Sequence, residues 1–153
     1  MRGIPGSMKF LRPLSADEAL RLFAENPLAL PFAGGTDLMV AWNMGSLNEK
    51  SVLDLSALRE WMGVRKVPCG LAVGALTTHA ELRDHPEVRR NFPLLAEACA
   101  AVGSVQIQNR GTMGGNIANA SPAGDTFPAL AVYEARVRTV SRHGRRSLTW
   151  QSR

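Results

Sequence analysis

The sequence predicts an α+β fold built from two small lobes. Short apolar runs typical of strands alternate with short helical patterns in the first third of the chain, and both kinds of element recur less regularly after it. The chain has 153 residues, of which 45% are hydrophobic and 20% charged, as in ordinary globular proteins. Neither a repeat nor a low-complexity linker interrupts it. We therefore place the lobes at residues 1–57 and 58–153, with the boundary near 57–68.

Three strands and two helices are predicted in the first lobe. The helix over 15–27 begins with a capping box, in which Ser15 is the N-cap and Glu18 follows three residues later. A shorter helix, TDLMVAWNMG, covers 36–45 and stops at its glycine. The strands are KFLRP at 9–13, LALPFAGG at 28–35 and SVLDLS at 51–56.

The second lobe is predicted to combine strands, helices and a C-terminal hairpin. GLAVGAL at 70–76 is a strand candidate, and VQIQN at 105–109 alternates with period two, which favours a strand. RVRTVSRHGRRSLTW forms a hairpin with His143-Gly144 at the turn. The helical patterns are THAELRDHP at 78–86, VRRNFPLLAEACAAVG at 88–103 with its start near Pro93, and DTFPALAVYEA at 125–135.

The net charge of +5 and the sequence pI near 10 first suggest a nucleic-acid partner. The chain has one tyrosine, however, and no nucleic-acid-binding module. Arg136 and Arg138 alternate with Val137 and Thr139, as on the exposed face of a strand. A solvated hairpin, or a surface for an acidic partner subunit, is therefore favoured over nucleic acid. The late basic residues are Arg136, Arg138, Arg142, Arg145, Arg146 and Arg153.

Cysteine and histidine usage argues against a metal centre. Cys69 and Cys99 lie thirty positions apart without a CxxC pair, which excludes a cysteine-only zinc or iron–sulfur site in this chain. Two buried free thiols are favoured over a disulfide. His79, predicted as a helix-start or surface residue, and the two other histidines show no ligand spacing.

Nothing in the sequence predicts membrane attachment or export. No apolar run approaches the length that spans a bilayer, and MRGIPGSMKF lacks the apolar centre of a signal peptide. Together with the unpaired thiols, this predicts a cytoplasmic protein.

Two glycine-rich segments are candidate binding sites. The first glycine segment, 33-AGGTD-37, follows a predicted strand and precedes a helix that starts at Thr36 or Asp37. Its glycines let a ligand approach the backbone, and the free N–H groups of the helix's first turn can hold a diphosphate oxygen. The alternative is a plain strand-to-helix turn, in which Gly34 and Gly35 merely permit a positive φ.

The second glycine segment, 111-GTMGGNIANASPAGD-125, repeats this arrangement after another predicted strand. Its Gly114-Gly115 pair follows the hydroxyl of Thr112, and amide and hydroxyl side chains come next. Asp125 is a lone carboxylate, which suits ribose or ribityl hydroxyls better than phosphate. The alternative is an irregular loop rich in turn formers. Neither segment matches GxGxxG or GxxxxGK[ST], so neither a Rossmann domain nor a P-loop is predicted.

No catalytic side chain is predicted. Ser121 lies in no hydrolase motif, and nothing fixes the separation of Asp37 and Asp125 as an acid–base pair. Two small-residue segments that face one another can instead hold a long diphosphate-containing ligand by backbone amides. The chemistry is therefore expected to reside in a cofactor.

Three stretches resemble one known family. AGGTDL, GALTTHAEL and NRGTMGGNIANASPAGDTFPAL are similar to the FAD-binding medium subunit of molybdenum hydroxylases, which include aerobic carbon monoxide dehydrogenase and the flavin domain of xanthine dehydrogenase. The opening IPGSMKFLRPLSADEAL is similar to that subunit's start, so MRGIPGS is not set aside as an expression tag. The resemblance covers essentially the whole chain and is most specific in the second glycine segment.

The resemblance implies a two-lobed, PCMH-type flavin-binding fold with FAD between the lobes. By position, the residues expected at the FAD diphosphate are Ala33, Gly34, Gly35, Thr36 and Asp37. A second wall is expected from Thr112, Met113, Gly114, Gly115 and Asn116. The remaining expected contacts are Asp125 with FAD hydroxyls, Gly103 with the cofactor, and Thr77 and Thr78 in the lining of the same cleft.

The resemblance also implies a place in an electron-transfer chain. In such enzymes a large subunit oxidises the substrate at a molybdenum cofactor, and electrons pass through a small [2Fe–2S] subunit to FAD and then to an external acceptor. The lack of clustered cysteines in this chain fits that division of labour. Family members continue well past the hairpin, so the second lobe is expected to be incomplete and the C-terminal domain missing.

Two other functions are compatible with the same residues. One is another flavoenzyme on this fold, of the type that reduces cell-wall precursors with a nicotinamide cofactor. The other is an interaction module that keeps the lobe without bound flavin.

Overall fold

The computed structural model describes residues 8–150, and two features of the sequence, the MRGIPGS start and Arg153, lie outside them. Strands and helices are mixed along this range, as an α+β fold requires. The strands are β1 (Lys9–Leu11), β2 (Leu30–Phe32), β3 (Ser51–Asp54), β4 (Val64–Val67), β5 (Gly70–Val73), β6 (Arg136–Ser141) and β7 (Gly144–Thr149). The helices are α1 (Ala16–Glu25), α2 (Leu38–Asn43), α3 (His79–Asp84), α4 (Pro86–Asn91), α5 (Pro93–Ala101), α6 (Val105–Arg110), α7 (Met113–Asn119) and α8 (Phe127–Val132), with a 3₁₀ helix at Arg59–Trp61. No helix within residues 8–150 is long and apolar enough to cross a membrane.

A three-stranded parallel sheet forms the first part of the fold. Its strand order is β1-β3-β2, and Val52 in the central strand pairs with Phe10 on one side and Leu30 on the other. Parallel neighbours need crossover connections, which the segments containing α1 and α2 supply. The first glycine segment follows β2 directly, so it lies at the carboxyl end of this sheet.

The predicted capping box of α1 forms only in part. Ser15 Oγ accepts from the backbone N–H of Glu18 at 3.2 Å, as predicted. The Glu18 carboxylate instead accepts from the N–H of Leu14 at 2.8 Å, one residue before the N-cap. A complete box occurs at α3, where Thr78 Oγ1 accepts from the Glu81 N–H and the Glu81 carboxylate accepts from the Thr78 N–H. Both helices therefore begin at side-chain caps.

The main core lies among the helices that follow β5. Its buried members are Leu82, Val88, Leu95, Ala96, Cys99, Met113, Ala129 and Leu130. A second, smaller cluster of Ala19, Leu58 and Leu76 joins α1 to residues beyond 57. The lobe boundary near 57–68 stays a prediction, because this second cluster draws residues from both sides of it.

One of the two cysteines departs from its predicted environment. Cys99 is a free thiol in the main core, and burial raises its pKa to about 12. Cys69 is also a free thiol but is exposed, because it lies in the turn between β4 and β5. The expectation that both thiols are buried is therefore wrong for Cys69.

VQIQN, predicted as a strand, forms the helix α6. Ser104 caps this helix by accepting from the Ile107 N–H at 3.5 Å. The buried side-chain amide of Gln108 donates to the backbone oxygens of Ala100 and Val102 at 2.8 and 3.2 Å. Five residues are too few to separate a period of 2 from one of 3.6. The cap and these tertiary hydrogen bonds decide in favour of the helix.

One further prediction, the position of the hairpin turn, differs from the structure, and the segment near 57–68 contains regular elements. The segment assigned to the lobe boundary contains the 3₁₀ helix and the strand β4, which pairs antiparallel with β5. In the C-terminal hairpin Ser141 pairs with Gly144, so the turn is Arg142-His143 rather than His143-Gly144. Within residues 8–150 the arginines of this hairpin form no ion pair, and every residue of β7 is exposed.

Replacing Leu82 by alanine is expected to destabilise the protein by about 2–5 kcal/mol, the usual range for a buried leucine. Its side chain is 0% exposed and belongs to the main core. Urea unfolding followed by circular dichroism measures the loss. Leu28→Ala is the matched control, because Leu28 is 88% exposed and its truncation should change stability by at most about 0.5 kcal/mol. Equal losses in the two variants would contradict this placement of the core.

Candidate functional site

A cleft of about 170 Å³ lies where the two glycine segments meet. It is bounded by the end of β2, by the segment between β5 and α3, and by the junction of α6 and α7. Four residues predicted from the sequence line it: Ala33, Gly34, Thr78 and Thr112. The rest of its lining consists of Ser56, Met62, Leu76, Asn109 and Arg110.

A larger cleft of about 650 Å³ lies between α1 and the tip of the β6–β7 hairpin. Its walls include Arg21 and Glu25, which already form an ion pair at 3.0 Å. None of the site residues predicted from the sequence lines it. We therefore place the candidate site at the smaller cleft, where both glycine segments converge.

At Gly34 the missing side chain makes room for protein backbone. A Cβ atom at this position would lie 1.9 Å from the carbonyl oxygen of Arg110 and 3.0 Å from the Cα of Gly111. The 1.9 Å distance to a backbone atom is too short for any Cβ, so only glycine permits the contact. The first glycine segment thus packs directly on the main chain at the start of the second, and this contact joins two walls of the cleft.

The second glycine segment is also bonded to the segment before α3. The backbone hydrogen bonds are His79 N–H to the Gly111 oxygen at 3.1 Å, Met113 N–H to the Thr77 oxygen at 2.9 Å, and Gly114 N–H to the Ala75 oxygen at 2.8 Å. A Cβ on Gly114 would lie 2.7 Å from both the Cβ and the oxygen of Ala75. Glycine at this position therefore lets two backbones approach, as it does at Gly34.

Much of the second glycine segment is helical rather than an irregular loop. Thr112 is the N-cap of α7, and its Oγ1 accepts from the Gly115 N–H at 3.1 Å. The Asn116 side-chain oxygen accepts a hydrogen bond from the Thr126 hydroxyl. Met113 is 5% exposed and packs in the main core, so its side chain anchors the helix.

The remaining predicted residues are not among the described residues that line the cleft. Gly35 has a φ of +76°, which favours glycine in the turn before α2. Thr36 Oγ1 donates to Asp37 Oδ2 at 3.4 Å. Gly103 forms the turn between α5 and α6, and the exposed Asp125 precedes α8. Neither Gly103 nor Asp125 is among the described residues that line the cleft.

Five lining residues were not predicted from the sequence. Asn109 and Arg110 immediately precede Gly111 in the NRGT stretch. Their position next to the second glycine segment is the sequence feature that could have identified them. The other three come from separate elements that only folding brings together. Thr77 was expected in the lining, but it is fully buried and its hydroxyl donates to the Gly63 oxygen at 3.0 Å.

His79 begins α3, as predicted, but is buried rather than on the surface. It is 2% exposed, and its Nδ1 has no hydrogen-bond partner among residues 8–150. Burial lowers its pKa below the ordinary histidine value, and the charge of Asp125 opposes this effect to a smaller extent. Burial thus favours the neutral imidazole, and its Cδ2 would lie 3.1 Å from a Cβ on Gly111, so the ring packs against that residue.

The lining suits one polar part of a large ligand. Pockets that enclose a whole small molecule usually measure about 300–1,000 Å³, so this cleft is large enough for only a portion of a dinucleotide. The Thr112 hydroxyl accepts one hydrogen bond and can still donate another, and Arg110 supplies a cation. These groups fit the diphosphate of FAD. Within residues 8–150 no three His, Cys, Asp or Glu side chains are grouped as metal ligands.

Gly114→Ala is expected to destabilise the protein by about 1–3 kcal/mol, the usual cost of overpacking. The new Cβ would meet Ala75 at 2.7 Å, and the start of α7 would have to move. Gly115→Ala is the matched control, because its closest contact is a side-chain atom, the Thr112 hydroxyl at 2.9 Å, so its loss should be smaller and limited to a weakened Thr112 cap. Urea unfolding compares the two variants. A control that loses as much stability as Gly114→Ala would contradict the proposed backbone contact.

Stability is expected to fall as the pH drops through and below about 6.5, the ordinary histidine pKa. In that range the unfolded chain binds a proton at His79, whereas the folded chain with its lowered pKa does not. Thermal unfolding between pH 7.5 and 5.5 measures the effect, which should be smaller in His79→Asn than in the wild type. His143→Asn, in the exposed hairpin turn, is the control and should keep the wild-type dependence. An unchanged pH dependence in His79→Asn would refute this origin.

Comparison with known proteins identifies the family of this chain. The family model described as "FAD binding domain in molybdopterin dehydrogenase" matches residues 6–152. The glyceraldehyde dehydrogenase medium chain of Sulfolobus acidocaldarius is 32% identical over 144 residues, which cover 94% of this chain and 51% of that protein. The nicotinate dehydrogenase FAD-subunit of Eubacterium barkeri is 34% identical over 143 residues, with 92% and 48% covered.

A solved structure shows the same fold. Carbon monoxide dehydrogenase from Hydrogenophaga pseudoflava, in a form that lacks the Mo-pyranopterin moiety, matches with a TM-score of 0.88 and 30% identity over 95% of this chain and 51% of that chain. The expected α+β flavin-binding fold and the expected cofactor, FAD, are thus confirmed. The chain spans about half the length of the curated relatives it matches. It belongs to the family of FAD binding domains in molybdopterin dehydrogenases.

Proposed function

We propose that this chain is the flavin-holding part of an FAD-binding electron-transfer subunit of a molybdenum hydroxylase. The observation that carries the proposal is the convergence of both glycine segments on one cleft, in a chain that matches an FAD binding domain. The cleft holds the diphosphate, and other parts of FAD extend beyond it.

The proposed contacts divide into groups that touch FAD and groups that shape the cleft. The touching groups in the lining are the main chain at Ala33 and the side chains of Thr112 and Arg110. Thr78 lines the cleft, but its hydroxyl already donates to the Glu81 carboxylate at 2.9 Å. Around them, the further proposed contacts are Gly35, Thr36, Gly115 and Asn116, with Gly103 and Asp125 reaching parts of FAD outside the cleft. The shaping groups are Gly34 and Gly114 at the backbone contacts and Met113 in the core.

The protein's own task is to bind and orient the cofactor. When bound, FAD supplies the electron transfer, with electrons arriving from an iron–sulfur partner and leaving to an external acceptor. The polar side chains that line the cleft are hydroxyl, amide and guanidinium groups. We therefore assign no side chain as acid, base or nucleophile.

We infer two partners, a small [2Fe–2S] subunit and a large molybdenum-cofactor subunit, and a cytoplasmic location. The names of relatives as medium chains and FAD-subunits support a multi-subunit assembly. The free thiols Cys69 and Cys99 agree with a reducing compartment. Because the chain spans about half of each relative, complete electron transfer is proposed for the assembled enzyme.

Flavin binding tests the central proposal. The purified protein mixed with FAD should retain the visible absorbance of oxidised flavin after gel filtration. Arg110→Ala should weaken binding about threefold to tenfold, the range for a solvent-accessible charged hydrogen bond, and Arg110→Lys should recover part of the loss because it keeps the charge. Equilibrium dialysis with FAD measures the affinities. Failure to reconstitute the protein with FAD would contradict the proposal and favour an interaction module without flavin.

Partner capture separates this function from that of another flavoenzyme on the same fold. The tagged protein, expressed in its native host, should co-purify with subunits that contain iron–sulfur clusters and molybdenum, detected by elemental analysis. Flavin reduction by a nicotinamide cofactor in the absence of such partners would favour a reductase of the cell-wall-precursor type.

A further inference from the structure

A side-chain hydrogen bond connects the two glycine segments. Asn119 Nδ2 donates to Asp37 Oδ1 at 3.2 Å, although the two residues are 82 positions apart in the chain. Asp37 precedes α2, and Asn119 is the last residue of α7. The bond therefore links the beginning of one helix to the end of another across the junction that contains the cleft.

The Asp37 carboxylate bonds to Asn119 across this junction and does not cap its own helix, α2. Asp37 occupies the N-cap position of α2, where an aspartate usually accepts from the first-turn N–H groups. No such capping bond forms within the described chain, and the backbone of Asp37 is helical, with φ −91° and ψ −45°. Its two oxygens accept instead from Thr36 Oγ1 at 3.4 Å and from Asn119.

This bond gives the junction a second point of attachment. The first point is the backbone contact of Gly34 with Arg110 and Gly111. Asp37 lies three residues after Gly34, and Asn119 lies nine residues after Arg110 at the far end of α7. One point of contact leaves two walls free to pivot about it, whereas two separated points restrain their angle.

We propose that the Asp37–Asn119 bond is a clasp that fixes the width of the cleft, and that Asp37 is a positioning residue rather than a ligand of the diphosphate. The proposal rests on the proposed function of the cleft. A carboxylate repels a diphosphate, so direct contact would oppose binding. Both Asp37 oxygens already accept hydrogen bonds, from Thr36 and from Asn119, which agrees with an indirect role. The clasp therefore replaces the expectation that this side chain touches FAD.

A double-mutant cycle tests the clasp through FAD affinity. Asp37→Ala and Asn119→Ala should each weaken FAD binding about threefold to tenfold, because both groups are exposed and water competes for the bond. The double variant should bind as weakly as either single variant, because the same bond is lost in all three. Asp17→Ala, an exposed carboxylate in the first turn of α1, is the control and should bind FAD within about twofold of the wild type.

Asp37→Asn separates positioning from direct contact. It keeps an oxygen that can accept from Asn119 and removes the charge, so a clasp predicts affinity within about twofold of the wild type. Tighter FAD binding in Asp37→Ala, additive losses in the double variant, or a loss in Asp37→Asn equal to that in Asp37→Ala would each overturn the clasp.

The same double-mutant cycle can be measured by urea unfolding of the flavin-free protein. This measurement separates failure of the clasp from failure of the proposed FAD-binding function. If the wild type binds no FAD, the proposed function fails. The clasp is then supported by non-additive changes in the unfolding equilibrium constant between positions 37 and 119, and it is refuted by additive ones.

Discussion

The candidate site depends on close contact between stretches of main chain that carry no side chain where they touch. Gly34 meets the carbonyl of Arg110, and Gly114 meets Ala75. A Cβ at either point would overlap atoms of another backbone, and a backbone cannot turn away as a side chain can. These contacts therefore set the distances between the end of β2, the segment before α3 and the start of α7. The cleft is the space that they leave between these three walls.

These backbone contacts give the glycine-rich segments a structural role inside the protein. A run of small residues suggests bare amides held open for a ligand, yet much of that backbone is used inside the protein. The N–H of Gly115 bonds to its helix cap, and the N–H of Gly114 bonds to Ala75. The groups left to meet a ligand are fewer and lie at the edges, chiefly the Thr112 hydroxyl and the Arg110 side chain.

Features that are encoded locally were predicted well from the sequence. The Ser15 cap of α1, the proline start of α5 and the C-terminal hairpin each depend on neighbouring residues, and each was found. Features that depend on distant residues were not. α6 is helical because Ser104 caps it and Gln108 bonds to the end of α5, which no five-residue pattern reveals. In the same way, motifs located both glycine segments, but only the fold shows that Met113 faces the core.

The charged groups around the junction have two different tasks: one lines the cleft, and the other helps to join its walls. A diphosphate is an anion, so a guanidinium in the lining attracts it and a carboxylate there repels it. Arg110 lines the cleft, whereas the Asp37 carboxylate is engaged by Thr36 and Asn119 where the walls meet. The positive group thus lies where an anionic ligand is proposed, and the negative group accepts the Asn119 hydrogen bond that joins the walls. A side chain that would oppose binding inside the cleft can support it from outside.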